Sequence, residues 1–205
     1  MKQIPVIVLI IFFSLLSSCS FDPVAPVPTD QYYRLPDPAP SIKKQVFDGD
    51  VYLRNFRSKG LYRGRAMLYS EDEQGLVLKQ HHYHYWQDSP PRMLQAQLLT
   101  WLRTANAAPL VMTDPSIAHQ YVISARINRL ERHLKEKSAS VIVALEIQLQ
   151  KRGTDKLLLA SDYVAEIEVE NRTVKSAIPA YAEALDSIFT RFLEDAEKAL
   201  SQNEE

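Results

Sequence analysis

The chain has 205 residues, 46% of them hydrophobic, with 24 Lys and Arg against 25 Asp and Glu and a formal net charge of -1. That balance supplies no basic field for nucleic acid and no acidic tail, and a single cysteine excludes an intramolecular disulfide. The residues after position 18 are enough for one domain with a sizeable core, held together by packing.

Met1, Lys2 and Gln3 make a short basic start, and Ile4 to Leu16 is an almost wholly apolar run. A bilayer-spanning helix needs about 20 such residues, so this shorter run predicts a signal peptide over residues 1–18 rather than a permanent anchor. Leu16-Ser17-Ser18-Cys19 sets two small residues between a large aliphatic one and the only cysteine. The pattern resembles the lipobox of bacterial lipoproteins, which implies S-diacylglycerol on Cys19, cleavage before it, and an N-acyl group such as palmitate on the freed amine. A thiol suits that role because it is a far better nucleophile than a hydroxyl. Each buried methylene contributes about 0.8 kcal/mol, so one acyl chain binds marginally and two or three hold the protein on a membrane. Ser20 stands where lipoproteins retained at the inner membrane of enterobacteria-like cells carry aspartate, which implies the outer membrane.

From Phe21 to Pro40, Pro23, Pro26, Pro28, Pro36, Pro38 and Pro40 favour an extended, semi-rigid tether. Within it, Gln31 to Leu35 is aromatic and strand-like and is expected to pair with the sheet as its first strand. The tether is accordingly placed at residues 19–30 and the domain at 31–205. Asp50–Phe56, Arg65–Ser70 and Leu76–Trp86 have strand-like patterns, the last two joined by the acidic, glycine-ended turn Glu71–Gly75. Ser89 as N-cap, Pro90 at the first helical position, and Leu94, Leu98, Trp101, Leu102 and Ala105 on one face predict a helix over 90–106. Three alternating segments, around Tyr121–Ile127, Val141–Leu149 and Leu157–Val169, predict an antiparallel meander with one face buried. Residues 177–200 place Ile178, Tyr181, Leu185, Ile188, Phe189, Phe192, Ala196 and Leu200 along one side of a closing helix. The expected fold is a single α/β domain, a mixed, largely antiparallel twisted sheet flanked by two main amphipathic helices.

Among candidate site residues, His82 and His84 sit two apart, so on a strand they share a face, a spacing that can seat a transition metal. No further ligand stands nearby, and the plainer reading of His81, His82 and His84 is a polar edge strand. Trp86 and Trp101 lie in apolar patterns and read as core. Arg54, Arg57, Lys59, Arg63 and Arg65, interrupted by Gly60 and Gly64, form either a solvated loop or a docking surface for an acidic partner or lipid head groups. There is no G-x-S-x-G, no H-E-x-x-H and no glycine-rich phosphate loop. The expectation is therefore no enzyme, no catalytic residue, no metal and no cofactor beyond the lipid on Cys19.

The order of lipobox, proline tether, Tyr32-Tyr33-Arg34-Leu35, Tyr83-His84-Tyr85-Trp86 with Pro90-Pro91, a leucine-rich helix ending Trp101-Leu102-Arg103, meander and closing helix resembles the ABC-type transport auxiliary lipoproteins. The resemblance implies a periplasm-facing lipoprotein serving an MCE-domain protein and an inner-membrane permease and ATPase complex that moves lipids or other hydrophobic molecules between envelope membranes. It offers no catalytic residues to carry over. Self-association into a homo-oligomer fits a ring-shaped or tubular partner. An envelope-assembly or cell-wall-associated structural lipoprotein is the second reading, and an unrecognised periplasmic hydrolase the third.

Overall fold

The structure is a computed structural model and describes residues 27–153 and 156–202. The signal peptide, Cys19, Ser20 and most of the tether lie outside the described residues. The first ordered pairing is β1 (Gln31–Tyr33), followed by β2 (Val51–Leu53), β3 (Arg57–Ser58), a 3-10 turn (Gly60–Arg63), β4 (Ala66–Ser70) and β5 (Lys79–Trp86). Helix α1 (Pro90–Thr104) leads to β6 (Val111–Met112), the long strands β7 (Tyr121–Leu134), β8 (Ala139–Lys151) and β9 (Leu157–Val169), and helix α2 (Val174–Ser201).

The meander forms as its alternation predicts. β7 pairs antiparallel with β8 from Tyr121↔Lys151 to Leu134↔Ala139, and β8 with β9 from Ala139↔Val169 to Gln150↔Leu157. Ile123, Ile127, Val141, Val143, Leu145, Ile147 and Leu149 are fully buried in the core shared with both helices. Ser124, Arg126, Glu146, Gln148 and Asp162 occupy the alternate positions and face outward, the one-sided burial of an antiparallel sheet. Ile127 pairs with Leu145 and Arg129 with Ala144, so Asn128 is an extra residue in β7. A bulge of this kind shifts the strand's phase by one residue, which brings Leu130, Arg132 and Leu134 to the core side and turns Glu131 outward.

The sheet departs from the expected largely antiparallel arrangement. Among the described residues five of the eight strand pairings are parallel: β1 with β5, β2 with β6, and β2, β3 and β4 each with β7. The cause is the length of β7. Its free edge takes β2 at Tyr121–Ile123, β3 at Arg126–Ile127 and β4 at Glu131–His133, three short strands laid end to end in one direction. Parallel pairing requires a crossover, and α1 lies in the connection from β5 to β7.

Helix α1 starts at Pro90-Pro91 and buries Leu94, Leu98, Trp101 and Leu102. The Ser89 side chain makes no capping hydrogen bond. Helix α2 begins one turn earlier than its apolar stripe suggests, because Thr173 Oγ1 accepts from the Ser176 amide at 3.3 Å. It buries Ala177, Tyr181, Ala184, Leu185, Ile188, Phe189, Phe192 and Ala196, while Ile178 and Leu200 are only partly covered. Both tryptophans are core, as read from sequence: Trp86 meets Tyr181 edge-on at 5.0 Å, and Trp101 meets Phe189 at 6.0 Å while donating Nε1–H to Asp186 at 2.6 Å. The prolines at 36, 38 and 40 belong to the domain. Leu35 and Pro40 are buried, Gln97 donates to the Pro36 carbonyl at 3.1 Å, and the Lys44 and Val46 amides donate to the Ala105 and Ala107 carbonyls just past α1.

Candidate functional site

The histidine-rich stretch is not a regular strand. Between the pairs Ala66↔Tyr85 and Leu68↔Gln80, β4 supplies Met67 alone where β5 supplies His81 to His84. The excess is absorbed by a bulge in which Tyr83 has φ 64°, a left-handed conformation rare for an aromatic residue. Alternation therefore fails here, and the expected His82 and His84 pair on one face is replaced by His81 and His84, whose rings meet edge-on at 5.7 Å. His82 and Tyr83 are exposed. No group of three or more His, Cys, Asp or Glu able to hold a metal occurs among the described residues.

His81 stacks on Tyr69 with centroids 4.2 Å apart, and its Nε2 accepts a hydrogen bond from Arg132 Nη1 at 3.1 Å. That contact requires the neutral ring with its proton on Nδ1. Burial, then the Arg132 guanidinium and His84, hold His81 down to about 4. His84 Nδ1 lies 2.9 Å from the Tyr33 hydroxyl and is likewise lowered, by burial and then Arg132. Burial raises Tyr33.

Arg132 is the centre of this cluster. It is fully buried, an outcome of the phase shift in β7, and its Nη2 donates to the Arg172 and Thr173 carbonyls at 2.6 and 3.1 Å. Its hydrogen bonds go to a neutral imidazole and two carbonyls rather than to a carboxylate, and burial lowers its pKa. Among the described residues the Nε has no hydrogen-bond partner, and neither does the hydroxyl of the fully buried Tyr181, which burial raises far above the usual phenol range. The guanidinium thus ties the bulge in β5 to the start of α2. On the opposite face Glu131, 2% exposed, accepts from Tyr62 of the 3-10 turn and from Arg129 Nε at 3.0 Å. No Ser, Thr or Cys side chain hydrogen-bonds a histidine among the described residues.

The basic run does not form one surface. Arg65 donates to the Trp86 carbonyl at 3.1 Å and covers the Tyr32 ring, and Arg63 donates to the Ser58 carbonyl at 3.3 Å. Lys59 precedes the 3-10 turn, whose first residue, Gly60, has φ 51°. Arg54 and Arg57 instead line a cleft of about 170 Å³ on the outer face of the sheet with Asn55, Ser124, Arg126, Glu146 and Gln148. Arg126 is not among the residues that the sequence singles out. Its only signal was a polar position in an alternating strand, and strand register brings it to the cleft.

The family model for the ABC-type transport auxiliary lipoprotein component matches residues 64–194. No curated protein matches the chain. Among solved structures, protein XCC0632 from Xanthomonas campestris superposes with a TM-score of 0.70 at 11% identity, covering 85% of this chain and 99% of that one. An uncharacterized protein superposes with a TM-score of 0.64 at 13% identity, covering 82% and 98%. At these identities the likeness is one of fold.

Proposed function

From the chain's membership of the ABC-type transport auxiliary lipoprotein family, we propose that it is a lipid-anchored, periplasm-facing accessory of an ABC-type and MCE transport system that moves lipids or other hydrophobic molecules between envelope membranes. The observation that carries this reading is the family match over residues 64–194. The lipobox ending at Cys19 supports it. The acylated cysteine holds the chain on the outer membrane, where Ser20 directs it, and residues 19–30 span from the lipid to the first strand at Gln31. The domain then works through protein contacts, without a catalytic step or a cofactor, and its partners are an MCE-domain protein and the permease and ATPase complex of the inner membrane.

Two measurements test this. Affinity capture of the full chain from detergent-solubilised envelopes is expected to recover an MCE-domain protein, and recovery of peptidoglycan or assembly factors instead would favour the envelope-assembly reading. Cys19→Ser is expected to abolish incorporation of radioactive palmitate, and equal labelling of variant and parent would end the assignment of the anchor.

A further inference from the structure

We propose that the cleft between Arg54, Arg57 and Arg126 is a binding site for a phosphate group. Three observations carry it. Arg57 and Arg126 are registered partners on the parallel strands β3 and β7, and like charges set side by side on a sheet are unfavourable unless something of opposite charge bridges them. Arg126 already ion-pairs with Glu146, whose other oxygen accepts from Gln148 Nε2 at 2.7 Å. That carboxylate is held within the wall, so three guanidiniums against one carboxylate leave the lining with two positive charges in surplus. The guanidiniums of Arg54 and Arg57 make no hydrogen bond or ion pair among the described residues. The Arg126 Nε, shielded from solvent, also has no acceptor among them.

The geometry selects the ligand class. Guanidinium forks bind oxyanions through paired N–H groups, and several of them around one centre suit a tetrahedral group with three or more oxygens. A planar carboxylate has two oxygens, enough for Arg54 and Arg57 but with none left for Arg126, whose Glu146 contact engages only Nη2. The Ser124 hydroxyl and the Asn55 and Gln148 amides add neutral polar groups to the lining. A cleft of about 170 Å³ takes a phosphate or a phosphate ester rather than a long acidic segment. This inference does not rest on the transport reading, since binding is measured without any partner.

The test is calorimetry on the lipidated full chain in non-ionic detergent, with inorganic phosphate, glycerophosphoglycerol and acetate as separate titrants. Saturable binding of phosphate or of glycerophosphoglycerol is expected, weakening as salt rises. Tighter binding of glycerophosphoglycerol would identify a lipid head group as the source, and binding of inorganic phosphate alone would identify free phosphate. The exposed double change Arg54→Gln with Arg57→Gln should weaken binding by about tenfold or more with an unchanged circular dichroism spectrum, while Lys175→Gln should leave it as in the parent. Failure of both phosphate compounds to bind, equal affinity for acetate, or undiminished binding by the double variant would each overturn the site.

Discussion

Replacing His81 by glutamine isolates the contribution of the β5 bulge to pH dependence. In the folded chain, burial first, then the Arg132 guanidinium and His84, bring His81 from 6.5 to about 4, opposed by Glu71. Folding therefore disfavours the proton. Stability is fully present above about pH 6.5, falls as the pH drops through the window from 6.5 to about 4, and is lost below it. Between about pH 7.5 and pH 5 the linkage amounts to about 2 kcal/mol, and because the ring is partly exposed, solvent screening reduces this to about 1 kcal/mol. Protonation acts through a definite contact, since an imidazolium Nε2 cannot accept from Arg132. The glutamine amide oxygen can accept that bond and does not titrate. His84 stays in the variant and retains its own loss in the same direction, and the lowered carboxyls of Glu71 and Asp72 lose their stabilising contacts only at lower pH. Urea unfolding of both full chains, followed by circular dichroism at the two pH values, should show the parent losing about 1 kcal/mol more than the variant on acidification. Equal losses would refute the link between His81 and Arg132.

Tyr181→Phe should leave stability unchanged or raise it by about 1 kcal/mol, because it removes a buried hydroxyl that has no hydrogen bond; a loss of that size in urea unfolding would mean that the hydroxyl has a partner. Gly49→Ala should destabilise by about 1 kcal/mol, since a Cβ there would lie 2.7 Å from the Gln120 Oε1 that accepts from the Asp50 amide, and an unchanged midpoint would show that Gln120 moves without loss. A chain ending before Ser176 should lack cooperative unfolding, because α2 buries Tyr181, Leu185, Ile188, Phe189 and Phe192. Each such side chain contributes about 1.5–3 kcal/mol against a total of about 5–15 kcal/mol; a sharp transition by circular dichroism would contradict this account of the core.

Local periodicity sufficed to determine α1, α2, the three long strands and the burial of Trp86 and Trp101, because periods of 3.6 and two are set by backbone geometry within each segment. The pattern at Leu16 to Cys19 is equally local, since the chemistry of acylation needs only a short run of residues around one thiol. Two-residue strands such as β3 and β6 carry no period and were not legible. The parallel pairings were hidden for another reason: which strand lies along which edge depends on the crossover through α1, and one β7 long enough to take three partners end to end is a property of the assembled sheet. Strand phase is subtler still. By simple alternation from Ile127, Arg132 belongs to the outer face. The extra residue Asn128 reverses that and buries a guanidinium. The excess of β5 over β4 in turn sends His81, rather than His82, to meet His84. Arg126 reaches Arg54 and Arg57 only through register between strands far apart in sequence. Hydrogen-bond partners across a sheet are chosen by all the strands together, so bulges, buried charges and converging side chains appear only when the tertiary structure is complete.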